Sequence, residues 1–141
     1  MRASLLLALL AACGGAAPST PTPAPAAPVA QAAAPAATST TIGVADLKAR
    51  MDQGPVTLID VRTPGEFSEG HVPGAVNIPL DELGGRLGEL EAHRSDDVHL
   101  ICAVGGRSAK ATAILGTAGF AKPVNVDGGT NGWRSAGYPV E

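Results

Sequence analysis

The chain has 141 residues, a formal net charge of −3 and no run of basic residues. That balance excludes a nucleic-acid surface, which needs clustered Lys and Arg. The length allows one compact domain of about a hundred residues beside a non-globular N-terminal stretch.

The chain opens with Met1-Arg2, then Ala3 to Leu10, nearly all leucine and alanine. One positive charge, a short apolar core and small residues before a cut site describe a secretory signal peptide over 1–12. It is too short to cross a bilayer, which takes about 20 apolar residues. Leu10-Ala11-Ala12-Cys13 resembles a bacterial lipobox, so Cys13 is expected to be lipidated. A diacylated cysteine would anchor an exported protein to the cell envelope, on the periplasmic or outer-membrane side or at the cell surface. After Cys13, residues up to 41 carry six prolines among alanine, serine and threonine, with no charge. Such a segment cannot build a core and is expected to act as an extended tether, at about 3.1 Å per residue.

The elements of the remaining domain, 42–141, alternate in type. Thr40–Ile42 suggests a short edge strand. Val44, Leu47 and Met51 stand at helical spacing and predict a helix over 44–52. Val56–Val61 reads as a buried strand running into Asp60-Val61-Arg62. Ala75–Ile78 reads as a second, framed by Pro73-Gly74 and Pro79. Leu83, Leu87 and Leu90 line one face of a modest helix, weakened by Gly84, Gly85 and Gly88. Strand Val98–Cys102, helix Ser108–Ala118 closed by Gly119, and strand Val124–Val126 ended by Gly128-Gly129 complete the series. Continuous apolar strands alternating with helices predict an α/β sandwich around a mainly parallel sheet. Ligands of such folds bind at the carboxyl ends of the strands, where Asp60 and Cys102 both fall.

The turn Cys102-Ala103-Val104-Gly105-Gly106-Arg107-Ser108 carries the candidate chemistry. Its glycines let successive N–H groups point inward, and the helix start adds partial positive charge. A thiol there loses its proton more readily than a free cysteine, whose pKa is about 8.5. The thiolate is a nucleophile, and the cradle of 103–107 suits an anion bound to it. With Cys13 lipidated, Cys102 has no disulfide partner. The alternative for the loop by itself is a small buried side chain at a strand end.

Asp60 either ties the loop by hydrogen bonds or caps its own turn. Arg62 and Glu66 read as a local ion pair. His71 reads as structural beside the Pro73-Gly74 turn, and Trp133 as packing. Gly128-Gly129 lets the chain turn close to the loop. His93 and His99 lack ligand spacing, so no metal site is expected.

Three segments together resemble a single-domain rhodanese: Asp60-Val61-Arg62 with Glu66-Phe67 and Gly70-His71-Val72-Pro73-Gly74-Ala75, the Cys102–Ser108 loop, and Gly128-Gly129 with Trp133 and Gly137-Tyr138-Pro139-Val140. The resemblance covers essentially all of 42–141 and implies the rhodanese-like three-layer sandwich. It implies a sulfurtransferase in which Cys102 takes a sulfane sulfur from thiosulfate or an organic persulfide and passes it to cyanide or a thiol. Ala103, Val104, Gly105, Gly106 and Arg107 would form the anion cradle, with Asp60, Arg62 and Ser108 in support. Arg107 would hold the leaving anion or brace the loop. Ala103 and Val104 stand where the family commonly carries polar or charged side chains, which weakens a preference for thiosulfate. No cofactor is implied, and a monomer suffices. Four residues separate Cys102 from Arg107, one fewer than a cysteine phosphatase uses to cradle a phosphoryl group. Thiol-redox work would need a resolving cysteine nearby. The alternative is a non-catalytic rhodanese-like binding or sulfur-carrier module tethered to the membrane.

Overall fold

The computed structural model describes residues 38–141; the expected signal peptide, the expected lipidation at Cys13 and the part of the expected tether before residue 38 lie outside the described residues. Short strands that are apolar on both faces need helices above and below them. The chain supplies these in the order β1 (Thr40–Gly43), α1 (Val44–Gln53), β2 (Thr57–Asp60), α2 (Pro64–Ser68), β3 (Val76–Asn77), α3 (Leu80–Leu83), a 3₁₀ helix (Leu87–His93), β4 (Asp97–Ile101), α4 (Gly106–Thr117), β5 (Lys122–Asp127) and α5 (Gly129–Ser135).

The sheet order is β1-β5-β4-β2-β3, and every pairing is parallel. The central strand β4 divides its side chains by the two-residue period of a strand. Val98, Leu100 and Cys102, just past its end, face one layer, where Leu83, Leu90, Leu115 and Phe120 pack. Ile101 faces the other layer, with Leu47 from α1 and Trp133 from α5. The sheet therefore lies between two helical layers, as the alternation of elements implies.

Sequence and structure agree in most elements, with ends moved by a residue or two. Helix α4 ends as expected at Gly119: the Phe120 N–H donates to Leu115 O at 3.0 Å and the Gly119 N–H to Gly116 O at 3.1 Å. The buried Phe120 ring then closes the turn against the core. Strand β5 starts two residues earlier than its apolar pattern suggests and includes Pro123. Its register with β1 begins only at Val124, so Pro123 has one registered neighbour, and its missing N–H is tolerated there.

The expected single helix through Leu83, Leu87 and Leu90 is instead two short pieces, α3 and the 3₁₀ helix. Gly84 and Gly85 interrupt it, and Gly88 keeps the second piece from recovering α-helical form. The leucines still point inward, because the 3₁₀ turn brings Leu87 and Leu90 onto one face. Two helices were absent from the sequence reading, α2 and α5. Both are shorter than two full turns and carry little apolar periodicity.

Helix α5 is fastened to the end of β4. The Thr130 N–H donates to Cys102 O at 2.7 Å and the Asn131 N–H to Ala103 O at 3.0 Å. This approach requires Gly129: a Cβ there would lie 2.2 Å from Cys102 O, and φ is +55°. Replacing Gly129 by alanine is expected to cost roughly 3 kcal/mol or more, because backbone rather than a side chain would have to move. Gly65→Ala, whose Cβ meets open space, should stay within about 1 kcal/mol of the parent. Urea unfolding of the two variants beside the parent tests the contrast.

Candidate active site

Cys102 is a buried free thiol, 1% exposed, at the carboxyl end of the central strand. Its Sγ accepts the Gly105 N–H at 3.1 Å and lies 3.5 Å from the Ser108 hydroxyl. Burial pushes the thiol up. Hydrogen bonds from the Ser108 hydroxyl and from the N–H groups of Ser108, Gly105 and Val104 outweigh it and hold the thiol below its ordinary value. The Ser108 hydroxyl also reaches Gly105 O at 2.9 Å. With a single proton, it can serve either acceptor, and a thiolate is the stronger one.

The loop curls this tightly because Gly105, the residue before α4, has φ of +111°. A Cβ on Gly105 would lie 2.8 Å from Asp127 Oδ1, so the end of β5 forms the back wall of the loop. Within the loop, Val104 is exposed and Gly105 is buried.

Arg107 is paired with a carboxylate from α2, and its charge lies within electrostatic reach of Cys102. Its guanidinium grips Glu66, with Nη1 2.7 Å from Oε2 and Nη2 2.6 Å from Oε1. The bond to Arg107, supported by Thr63, holds the Glu66 carboxyl at about 2. Glu66 also closes the capping box of α2: its Oε2 accepts the Thr63 N–H at 3.2 Å, and its own N–H donates to Thr63 Oγ1 at 3.3 Å. Of the two expected roles for Arg107, this geometry has it bracing the loop.

The expected Arg62–Glu66 pair is therefore corrected. Arg62 turns inward to Asp60, with Nε 2.9 Å and Nη2 2.7 Å from Oδ2, and Asp60 Oδ1 also accepts the Arg62 N–H at 3.0 Å. Both residues are buried, so each charge needs the other. Asp60 thus fixes the backbone after β2, and Asn77 completes the tie by donating to Asp60 O and Arg62 O. Asn77, Asp127 and the Arg107–Glu66 pair were not identified from the sequence. Only the Thr63–Glu66 spacing of a capping box carried a signal for any of them.

His71 stacks on Phe67 at 3.7 Å, and Trp133 is fully buried with its Nε1–H on Pro139 O, both as packing residues. His93 and His99 bond to Thr57, Asp96 and Arg50, away from the Cys102 loop.

A buried thiol on a parallel-sheet end, cradled by a glycine loop and a helix start, meets the same chain segments that carry the sequence resemblance. The rhodanese-like domain family matches residues 43–136. The chain belongs to the rhodanese-like domain family. Thiosulfate sulfurtransferase 16, chloroplastic, of Arabidopsis thaliana is 39% identical, over 59% of this chain and 78% of that protein. An HTH-type transcriptional regulator of Mycobacterium tuberculosis is 40% identical over 69% of this chain, which spans only 42% of that regulator. The crystal structure of a rhodanese-related protein from Thermoplasma volcanium superimposes with a TM-score of 0.65 at 37% identity, covering 72% of this chain and 97% of that one.

Two outcomes check the site of this rhodanese-like domain. Ser108→Ala removes the hydroxyl that favours the thiolate, so the midpoint of the pH profile for Cys102 alkylation by iodoacetamide should move to higher pH. Asp60→Ala leaves Arg62 as a buried unpaired charge and should lower stability by about 3–5 kcal/mol in denaturant unfolding.

Proposed function

We propose that this rhodanese-like domain is a sulfurtransferase that works through a persulfide on Cys102. The observation that carries the reading is the Cys102 Sγ at the focus of the Val104, Gly105 and Ser108 donors. The thiolate attacks the outer sulfur of a sulfane donor. The donor's S–S bond breaks, and sulfite or a thiolate leaves with the bonding pair. The new terminal sulfur is anionic and rests against the same N–H groups that favoured the thiolate, so the cradle serves both states. A second nucleophile, cyanide or a thiol, then attacks that sulfur and returns Cys102 as thiolate. No electrons enter or leave the cycle, and no cofactor takes part in it. The kinship with a protein named as a thiosulfate sulfurtransferase supports the reaction class.

Export and anchoring through Cys13 belong to the same proposal, supported by Leu10-Ala11-Ala12-Cys13 and the proline-rich segment after it. The partners are then small sulfur compounds at the cell envelope, met by a monomer on a tether.

Intact mass of the purified protein after treatment with thiosulfate or an organic persulfide tests the proposal. A gain of roughly 32 Da, removed by cyanide and absent from Cys102→Ser, is the expected result. A folded protein whose Cys102 alkylates but gains no sulfur from either donor would reject it in favour of a binding module.

A further inference from the structure

We infer that Glu66 sets the donor selectivity of the Cys102 site: by holding Arg107 it leaves the cradle without a free cation, so donors with at most one negative charge are preferred to dianionic thiosulfate. The inference rests on the sulfur-transfer reading above and concerns which donor that site accepts.

Arg107 is the only cation in the loop 102–107. Both ends of its planar fork hold Glu66, at 2.6 and 2.7 Å, and a bidentate pair of this kind, the strongest carboxylate contact a guanidinium makes, offsets its charge and fixes its direction. Glu66 is itself fixed, because Oε2 also accepts from the Thr63 N–H and from Thr63 Oγ1 at 3.0 Å. Releasing Arg107 toward an incoming anion would leave an ionised carboxylate facing the loop. Asp127 adds a second carboxylate behind Gly105, where its Oδ1 would meet a Cβ at 2.8 Å. Arg107, Glu66 and Asp127 together thus carry a formal charge of −1 at the loop. The Val104 side chain, 62% exposed, offers an apolar contact and no donor beyond its backbone N–H.

The two donors ask different things of these groups. With thiosulfate, Sγ attacks the outer sulfur, the bond to the sulfonate sulfur breaks, and sulfite departs as a dianion with the electron pair. Its three oxygens need donors or a counter-charge, and Arg107 is already engaged. With an alkyl persulfide the same Sγ–S bond forms, and a single alkylthiolate departs with the bonding pair and picks up the persulfide's proton. That group carries one charge at most, and its carbon chain can lie along Val104. In this arrangement Glu66 is a positioning residue: it touches neither donor and acts through Arg107.

The test is the single-turnover rate of Cys102 persulfidation, read by mass, with thiosulfate and with 2-hydroxyethyl persulfide on the full chain. The ratio of the two rates is the readout, which a general structural defect would not move. Glu66→Gln keeps the capping box of α2 and should raise the thiosulfate-to-persulfide ratio roughly tenfold by freeing one charged donor. Adding Arg107→Gln to that variant should return the ratio toward the parent value. In the unaltered protein the same ratio should rise with ionic strength, as screening relieves repulsion of the dianion. A ratio unchanged in E66Q, or one that stays raised in the double variant, overturns the role of Glu66 through Arg107. A ratio that falls with salt overturns it too, because Arg107 would then be attracting the dianion directly. Failure of both donors to persulfidate Cys102 rejects the sulfur-transfer reading itself, and the selectivity inference with it.

Discussion

The structure depends on one close backbone approach, where the first turn of α5 meets the residue that carries the thiol. Cys102 O accepts the Thr130 N–H at 2.7 Å, and no side chain at position 129 fits between the two segments. The contact fastens the end of the central strand from one layer while α4 continues from it into the other. Cys102 Sγ is therefore held from both directions, its carbonyl by α5 and its sulfur by the loop that opens α4. A side chain 1% exposed would otherwise bury a thiol with poor donors around it. Burial alone raises a thiol's pKa, so the downward shift depends on the Ser108 hydroxyl and on the N–H groups of Ser108, Gly105 and Val104, in a loop that turns at Gly105.

Much of this was legible in the sequence because it is written in glycines and apolar runs. Val98 to Ile101 could only be an interior strand, Gly119 could only end a helix of that spacing, and Gly128-Gly129 marked a tight approach to the cysteine loop. What escaped was carried by side chains that meet across distant segments. Glu66 lies four residues from Arg62 and forty-one from Arg107, and local spacing favours the wrong partner. The decision falls to Asp60, which is buried and takes Arg62 for itself. A one-dimensional reading ranks ion pairs by proximity, whereas burial ranks them by which charge can least tolerate being left alone. The same limit hid α5: seven residues with glycines at its start have no periodicity to find, and the helix exists because Trp133 packs into the core and its N–H groups cap β4.

The buried Asp60–Arg62 pair belongs to specificity of structure more than to stability. Replacing a well-made buried ion pair with apolar side chains is often neutral or stabilising, so energy alone does not explain its use. Its reach does. Arg62 Nη2 also donates to Gly70 O at 3.0 Å, and Arg134 from α5 donates to that same carbonyl at 2.8 Å. One oxygen thus joins the segment after β2 to the helix that caps Cys102. Asn77 adds β3 through its bonds to Asp60 O and Arg62 O. An apolar pair could fill the same volume but could not set the angles of three segments at once.

Charge is then arranged in two shells with opposite outcomes. The inner one, Asp60 with Arg62, is internally neutral and shapes the backbone. The outer one, Glu66 with Arg107, is also neutral, and it lies a third exposed beside the loop. The two pairs are linked by α2: Arg62 ends the turn that Thr63 caps, and Glu66 closes that cap three residues on. The inward turn of Arg62 frees Glu66 to cross to Arg107. The pairing seen at the loop is thus a consequence of the pairing in the interior, and a change at Asp60 would be felt at Arg107 through one short helix.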